Sequence, residues 1–122
     1  MSAYVRFIQG AGARVVPFVW DEPEEVTLEK LSKVNGVLFP GGGGDYMRIG
    51  KLIVDEAKKM NDAGDFFPLW GTCLGFERLA VFTASSDNIL EAYGANHVSL
   101  PITFTKDPRE TKMFCPLGEE AM

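Results

Sequence analysis

Hydrophobic residues recur every three or four positions in several parts of the chain, and this spacing predicts amphipathic helices. The first predicted helix covers residues 2 to 9. The longest covers about residues 46 to 63, with Gly64 as its C-terminal cap. A short helix is predicted after the turn at residues 21–23, and another after residue 75. The apolar positions that define these helices are, in chain order, Tyr4, Phe7, Ile8 and Ala11; Leu28 and Leu31; Ile49, Leu52, Ile53, Ala57 and Met60; and Phe76, Leu79, Ala80 and Phe82.

Short apolar segments without helical spacing lie between these helices and predict buried parallel strands. They cover residues 13–18, 34–39 and 66–70. Residues 98–105 alternate strictly between apolar and polar, which predicts a fourth strand with one wet face, antiparallel or at a sheet edge. Residues 106–122 are polar and show no sustained periodicity, so they are predicted to form a loop or tail.

The alternation of helices and strands predicts an α/β fold with a mainly parallel sheet, because parallel neighbours require crossover connections. A domain of this class normally opens with a strand and closes on further strands. This chain opens with a predicted helix and shows no strand pattern after Thr105. We therefore expect residues 1–122 to form a single partial domain whose sheet is incomplete at both ends.

The net charge of -5 limits what the chain is expected to bind. Nucleic acids and anionic membranes attract basic surfaces, so a small molecule or a protein is the expected partner. No apolar stretch reaches the roughly 20 residues of a membrane helix, and no signal-peptide pattern is visible. Cys73 and Cys115 lack the spacing of metal ligands, and neither a metal nor a cofactor is predicted.

The segment Gly71-Thr72-Cys73-Leu74-Gly75 joins a predicted buried strand to a predicted helix. This is the arrangement of a nucleophile elbow, with sulfur in place of oxygen. Such a turn strains its central residue and leaves no room for side chains two positions away. Cys73 would stand at a helix N-terminus, where free N–H groups favour the thiolate. It is a candidate nucleophile, the alternative being a small buried hydrophobic residue.

Backbone N–H groups beside such a nucleophile can stabilise an oxyanion. The Leu74 N–H follows Cys73 directly. Residues 41–44, all glycine, follow a predicted parallel strand and are placed to approach the elbow, where their N–H groups can complete an oxyanion hole. The alternative is a flexible turn. They do not form a Walker-type phosphate loop, because no Gly-Lys-Ser/Thr follows.

The elbow lies in the run Trp-Gly-Thr-Cys-Leu-Gly-Phe-Glu at residues 70–77, which resembles the gamma-glutamyl hydrolases. Residues 4–18, 34–42, 65–69 and 100–105 are similar to that family in order and spacing. The resemblance covers nearly the whole chain. It implies the N-terminal half of the catalytic domain of a class I glutamine amidotransferase-like protein, whose fold is a flavodoxin-like three-layer α/β sandwich.

The resemblance also implies an activity. Cys73 would attack the amide carbonyl of a gamma-glutamyl bond in folate or peptide poly-gamma-glutamates, forming a thioester that water hydrolyses. Leu74 and Gly42 would supply the oxyanion N–H groups. Glu77 would help to position substrate, the alternative being an exposed helix carboxylate. A homodimer or a complementary C-terminal chain is the implied protein partner, and the lysosome, the vacuole or the exterior is the implied location.

The chain departs from this family at the general base, a histidine in a Trp-His-Pro-Glu type motif. The one histidine present is His97, which we expect to be a solvated residue at the entry to the alternating strand. A thiol without a base loses most of its catalytic power, so the chain alone is expected to be inactive. Three hypotheses stay open: part of a hydrolase whose other half carries the base, a degenerate copy serving as a structural or interaction subunit, or a related thiol enzyme such as an amidotransferase subunit. No role is predicted for Cys115.

Overall fold

The computed structural model describes residues 2–95, 97–111 and 114. The chain divides into two compact units, Met1–Glu91 and Ala92–Met122. None of the helices in the described residues is long and apolar enough to cross a lipid bilayer. The regular elements are α1 (Ser2–Gly10), α2 (Glu24–Leu31), β1 (Val37–Phe39), α3 (Met47–Asp62), β2 (Leu69–Gly71) and α4 (Leu74–Ala84), with short 3-10 helices at Asp87–Ile89 and Pro108–Glu110.

The sheet of the first unit has two parallel strands in the described residues. Val37 of β1 pairs with Leu69 of β2, and Phe39 pairs with Gly71. Helix α3 lies in the connection between the two strands, as a parallel pair requires. The described part of the chain is therefore a mixed helix and strand structure compatible with the predicted α/β class.

The core of the first unit lies between β1 and helices α2, α3 and α4. The apolar stripe predicted for α3 is confirmed, since its central positions are buried. Phe82 of α4 meets Phe39 of β1 edge to face, with ring centroids 6.5 Å apart. A Cβ on Gly50 would lie 2.8 Å from the Phe82 ring, so glycine at this position lets α4 pack closely on α3. The buried cluster consists of Leu31, Phe39, Ile49, Ile53, Val54, Ala57, Phe67 and Phe82.

Gly64 ends α3 as predicted. Its φ is +88°, a conformation that glycine adopts without strain. The Gly64 N–H donates to the Asn61 carbonyl (3.0 Å), and the Asp65 N–H donates to the Met60 carbonyl (2.9 Å). This pair of bonds is a Schellman motif. The Asn61 side chain also bonds both backbone groups of Phe67, which guides the chain towards β2.

Two predicted strands do not form in the described residues. Residues 13–18 are irregular, and Val15 and Val16 are exposed. Residues 98–105, in the second unit, are also irregular, and Ile102 is 81% exposed. A strand needs a neighbour for its backbone groups, and hydrophobic patterning identifies a suitable face without identifying that neighbour. The other two predicted strands form, but each is shortened to three residues.

The inner face predicted for α2 is confirmed at one of its two positions and wrong at the other. Leu31 is buried, but Leu28 is 40% exposed. Thr27 is fully buried instead, and its hydroxyl donates a 2.8 Å hydrogen bond to Glu22 Oε1. The helix therefore faces a buried carboxylate at this point, which hydrophobic spacing cannot reveal.

Glu22 is the centre of a small polar network that ties the irregular segment before α2 to the helix. Its side chain is buried and forms an ion pair with Lys30. Burial raises the pKa of Glu22, but hydrogen bonds from Lys30, Thr27 and the Val19 backbone lower it more, so the pKa lies below its ordinary value of 4.5. Lys30 also donates to the Pro17 carbonyl at 2.9 Å. One lysine thus holds two points of the preceding segment.

We expect Glu22→Gln to lower the free energy of unfolding by about 1–3 kcal/mol at pH 7, because it removes a charge-assisted network from a buried site. Urea unfolding at pH 7 measures the change. A carboxylate whose pKa is lowered on folding stabilises the fold above its unfolded pKa, and that contribution is lost as pH falls through the folded pKa. The difference between parent and variant should therefore shrink below pH 4.5.

Glu29→Gln is the matched control, because Glu29 pairs with Lys33 on the exposed surface of the same helix. It should change stability little at either pH. A Glu22→Gln effect no larger than this control, or one that persists unchanged at low pH, would contradict the assigned network.

Candidate functional site

Cys73 lies at the turn between β2 and α4, as predicted. Its φ and ψ are 54° and -119°, a conformation that residues with a side chain rarely adopt. The strained backbone expected of an elbow is therefore present. Cys73 is a free cysteine with an exposed side chain. It occupies the N-cap position of α4, directly before the first N–H groups of that helix.

The elbow consists of residues 71–75, and close backbone contacts require glycine at its first and last positions, Gly71 and Gly75. A Cβ on Gly71 would lie 2.6 Å from the carbonyl carbon and oxygen of Gly75. A Cβ on Gly75 would lie 2.0 Å from the carbonyl oxygen of Phe39. The predicted clash two positions either side of Cys73 is confirmed. The second contact also shows that α4 begins directly against the end of β1.

The glycine segment, residues 41–44, begins beside the elbow. The Thr72 N–H donates to the Phe39 carbonyl at 3.1 Å, which holds the elbow to the end of β1. Gly41 is two residues after Phe39, and a Cβ on Gly41 would lie 2.9 Å from the Cβ of Cys73. The glycine segment therefore approaches the elbow as expected, at Gly41. Gly42 is exposed and has φ +111°.

The two N–H groups predicted to form an oxyanion hole are both available. Within the described residues, neither the Leu74 N–H nor the Gly42 N–H donates a hydrogen bond. The Gly41 N–H is not available in this way, because it donates a hydrogen bond to the Tyr4 hydroxyl at 2.9 Å. The oxyanion roles of Leu74 and Gly42 stay predictions, and their free donors are compatible with them.

Glu77 lies in the first turn of α4 and is exposed. Its N–H donates to the Cys73 carbonyl at 3.2 Å, so Glu77 lies one helical turn after the cysteine. The role of Glu77 in positioning substrate stays a prediction.

Two tyrosines near the elbow were not recognised in the sequence as site residues. Tyr4 of α1 reaches Gly41, and Tyr46, the N-cap of α3, donates from its hydroxyl to the Pro40 carbonyl at 3.3 Å. Burial raises the pKa of Tyr46; Arg78 opposes this effect, and Cys73, Glu77 and Tyr4 add to it. Its hydroxyl therefore stays protonated at neutral pH. No spacing rule in the sequence indicates these long-range contacts.

His97 belongs to the second unit. Its side chain is exposed, and its φ of 58° lies in the left-handed region. The expectation of a solvated histidine is confirmed, whereas the strand it was predicted to precede does not form. In the predicted tail, residues 106–111 contain one short 3-10 helix. Cys115 lies outside the described residues.

The surface around Cys73 is open. Two depressions on the described surface do not include it: one lies beside Arg48 and Phe82, the other beside Trp20 and Arg48. In the same part of the chain, no three His, Cys, Asp or Glu side chains come together in a way that could hold a metal ion.

An exposed cysteine in a strained strand-to-helix turn, followed directly by the unused Leu74 N–H, has the geometry of a nucleophile elbow in an α/β protein. The chain is 42% identical over 126 residues to a gamma-glutamyl hydrolase of Rattus norvegicus, covering 99% of this chain and 39% of the rat protein. It is 42% identical over 118 residues to the Mus musculus gamma-glutamyl hydrolase, covering 93% of this chain and 37% of the mouse protein.

Gamma-glutamyl hydrolase 1 of Arabidopsis thaliana is 42% identical over 106 residues, covering 84% of this chain and 30% of the plant protein. No protein-family profile matches the chain. The chain is similar to the gamma-glutamyl hydrolases over most of its own length, and it spans 30–39% of the length of these three relatives. The resemblance inferred from the sequence is confirmed.

Proposed function

We propose that this chain carries the nucleophile of a gamma-glutamyl hydrolase that acts on folate or peptide poly-gamma-glutamates. The Cys73 thiolate attacks the carbonyl carbon of a gamma-glutamyl amide. The C–N bond breaks, the amine leaves with a proton, and a thioester remains on sulfur. Water then hydrolyses the thioester and restores the thiol. The observation that carries this proposal is the exposed thiol of Cys73 in strained backbone at the start of α4.

The negative charge that forms on the carbonyl oxygen needs two donors in fixed positions. The Leu74 and Gly42 N–H groups fill this role in the proposal, since both are unused and Gly41 lies against Cys73. Glu77 lies one turn further along α4 and positions the substrate. Its carboxylate can accept a hydrogen bond from an amide N–H of the substrate.

The reaction also requires a base for the thiol proton and an acid for the leaving amine. The single histidine of the chain, His97, does not stand in a Trp-His-Pro-Glu type motif. We therefore place the base outside these 122 residues, in further sequence or in a complementary C-terminal chain. On this proposal the 122-residue chain alone is inactive.

The proposal has consequences for the fold, the assembly and the location. The two-stranded sheet becomes part of a flavodoxin-like three-layer sandwich to which further strands add. Most of the loop or tail predicted at residues 106–122 lies outside the described residues. The protein acts as a homodimer or with its complementary chain. It works in the lysosome, in the vacuole or outside the cell.

Trapping the thioester tests this proposal. The longest natural form of the protein is mixed with a pteroyl poly-gamma-glutamate and quenched in acid, and its tryptic peptides are weighed. Residues 60–78 form one such peptide, which contains Cys73 and excludes Cys115. We expect a substrate-derived acyl group on that peptide. Hydrolysis that continues after Cys73 has been alkylated would rule out Cys73 as the nucleophile.

A second candidate is a non-catalytic copy that serves as a structural or interaction subunit. It is favoured by the exposed aromatic side chains of Phe76 and Trp70, which are 66% and 46% exposed beside the elbow. Large exposed apolar groups often mark a protein interface. Native mass spectrometry that finds a stable partner, together with no hydrolysis by the longest natural form, would support this candidate over the hydrolase.

A further inference from the structure

The peptide group that joins Pro40 to Gly41 is held on both sides by tyrosine hydroxyls. Its carbonyl oxygen accepts a hydrogen bond from Tyr46 at 3.3 Å. Its N–H donates to the Tyr4 hydroxyl at 2.9 Å. The two tyrosines come from different helices, since Tyr4 belongs to α1 and Tyr46 is the N-cap of α3. Together they fix the plane of one peptide immediately before the glycine segment.

The Tyr46 hydroxyl is itself held in place by packing. The Tyr46 ring stacks on Phe39, with centroids 6.0 Å apart and an angle of 28° between the rings. Phe39 is 4% exposed and forms part of the core. The Tyr46 carbonyl also accepts the Gly50 N–H at 2.7 Å, which attaches the residue to the first turn of α3. A donor fixed in this way can restrain a flexible neighbour.

The restrained peptide lies against Cys73. A Cβ on Gly41 would meet the Tyr4 hydroxyl at 2.8 Å and the Cβ of Cys73 at 2.9 Å, so this residue is enclosed between them. The next N–H along the chain is that of Gly42. Four consecutive glycines have wide conformational freedom, whereas an oxyanion donor is effective only when it is oriented before the reaction. Other residues must therefore hold the glycine segment, residues 41–44, in one orientation.

We infer that Tyr4 and Tyr46 are positioning residues that clamp the Pro40–Gly41 peptide and thereby aim the Gly42 N–H at a carbonyl oxygen bound beside Cys73. The inference rests on the proposed function for the reaction that it serves. The Tyr46 hydroxyl remains a donor throughout the neutral pH range, because burial raises its pKa and the nearby Cys73 and Glu77 raise it further, although Arg78 opposes them.

Two reagents that react at the same sulfur separate positioning from general damage to the fold. With p-nitrophenyl acetate, the thiolate adds to the ester carbonyl, an oxyanion forms, the C–O bond breaks and p-nitrophenolate leaves. With iodoacetamide, the thiolate displaces iodide from carbon and no oxyanion forms. The ratio of the acylation rate to the alkylation rate at Cys73 thus reports oxyanion stabilisation. Mass spectrometry of the peptide of residues 60–78 measures both rates.

In the full natural protein we expect Tyr46→Phe and Tyr4→Phe each to lower this ratio about tenfold, because an oxyanion donor that is only misaligned costs less than the 10²–10³-fold of one that is removed. Phenylalanine keeps the ring packing and removes only the hydroxyl. The double variant should be little worse than either single one, since both act on one peptide group. Tyr93→Phe is the control, because it removes the remaining tyrosine hydroxyl of the chain from the other unit.

Amide hydrogen exchange gives a second measurement that needs no reaction. The N–H groups of residues 41–44 should exchange faster in both clamp variants and unchanged in the control. If the parent is acylated at Cys73 but the ratio and the exchange are unaffected in both variants, the clamp is wrong and the nucleophile stands. If the parent is alkylated but never acylated at Cys73, the oxyanion site is absent and both proposals fail.

Discussion

Replacing Gly75 with alanine is expected to lower the free energy of unfolding by more than about 3 kcal/mol, the upper range for overpacking at a closed site. The added Cβ would lie 2.0 Å from the Phe39 carbonyl oxygen and 2.6 Å from its carbon. Both are backbone atoms of β1, so no side-chain rotation can relieve the contact. The start of α4 would have to move away from the strand. That movement would break the hydrogen bond from the Thr72 N–H to Phe39.

Gly43→Ala is the matched control in the neighbouring glycine segment. A Cβ on Gly43 would have no atom within 4 Å, and its φ lies outside the left-handed region. We expect it to stay within about 0.5 kcal/mol of the parent, or to stabilise slightly by restricting the unfolded chain. Urea unfolding followed by tryptophan fluorescence compares the two. A Gly75→Ala protein as stable as the Gly43→Ala protein would mean that α4 does not rest on β1.

The elbow could be predicted from the sequence because its causes are local. Gly71 and Gly75 flank Cys73 at fixed spacing, and a strand followed by a helix leaves few ways to turn the chain between them. The strained φ of Cys73 follows from this. The identity of the atoms that meet Gly75 could not be predicted, because Phe39 lies 36 residues earlier and reaches it only through the parallel pairing of β1 and β2.

The predictions that the structure contradicts depend on contacts that a hydrophobic pattern does not reveal. Residues 13–18 have the composition of a buried strand, yet they are irregular in the structure, and Lys30 holds the end of this segment by bonding the Pro17 carbonyl. The buried face of α2 differs from the prediction at Leu28. The buried group that faces the helix at this point is the Glu22 carboxylate, which accepts a hydrogen bond from Thr27. Polar partners distant in sequence leave no periodic signal.

The site itself was predicted in part for the same reason. Cys73 and the glycine segment carry motifs, and the structure brings them together at Gly41. Tyr4 and Tyr46 carry none. Tyr4 contributes to the helical spacing of α1, and its hydroxyl finds Gly41 only because the two are adjacent in space, 37 positions apart in the chain. Side chains that orient a backbone group generally cannot be identified from the sequence before the fold is known.

Substituting Cys73 with alanine in the catalytically complete protein is expected to lower kcat/KM for gamma-glutamyl hydrolysis on the order of 10⁴-fold or more, because the step that forms the thioester is lost. Steady-state cleavage of a pteroyl poly-gamma-glutamate measures the loss. Cys115→Ala, which removes the other cysteine of this chain, should leave the rate unchanged.

A fall in activity could also come from unfolding, and the backbone at Cys73 offers a way to separate the two. Alanine keeps the strain at φ 54° and ψ -119°, whereas glycine adopts this conformation freely. Strain of this kind costs on the order of 1–3 kcal/mol, so Cys73→Gly should be at least as stable as Cys73→Ala and equally inactive. An active Cys73→Gly protein would show that the elbow is a structural turn. A stable, inactive one would show that activity is lost with the sulfur and not through unfolding.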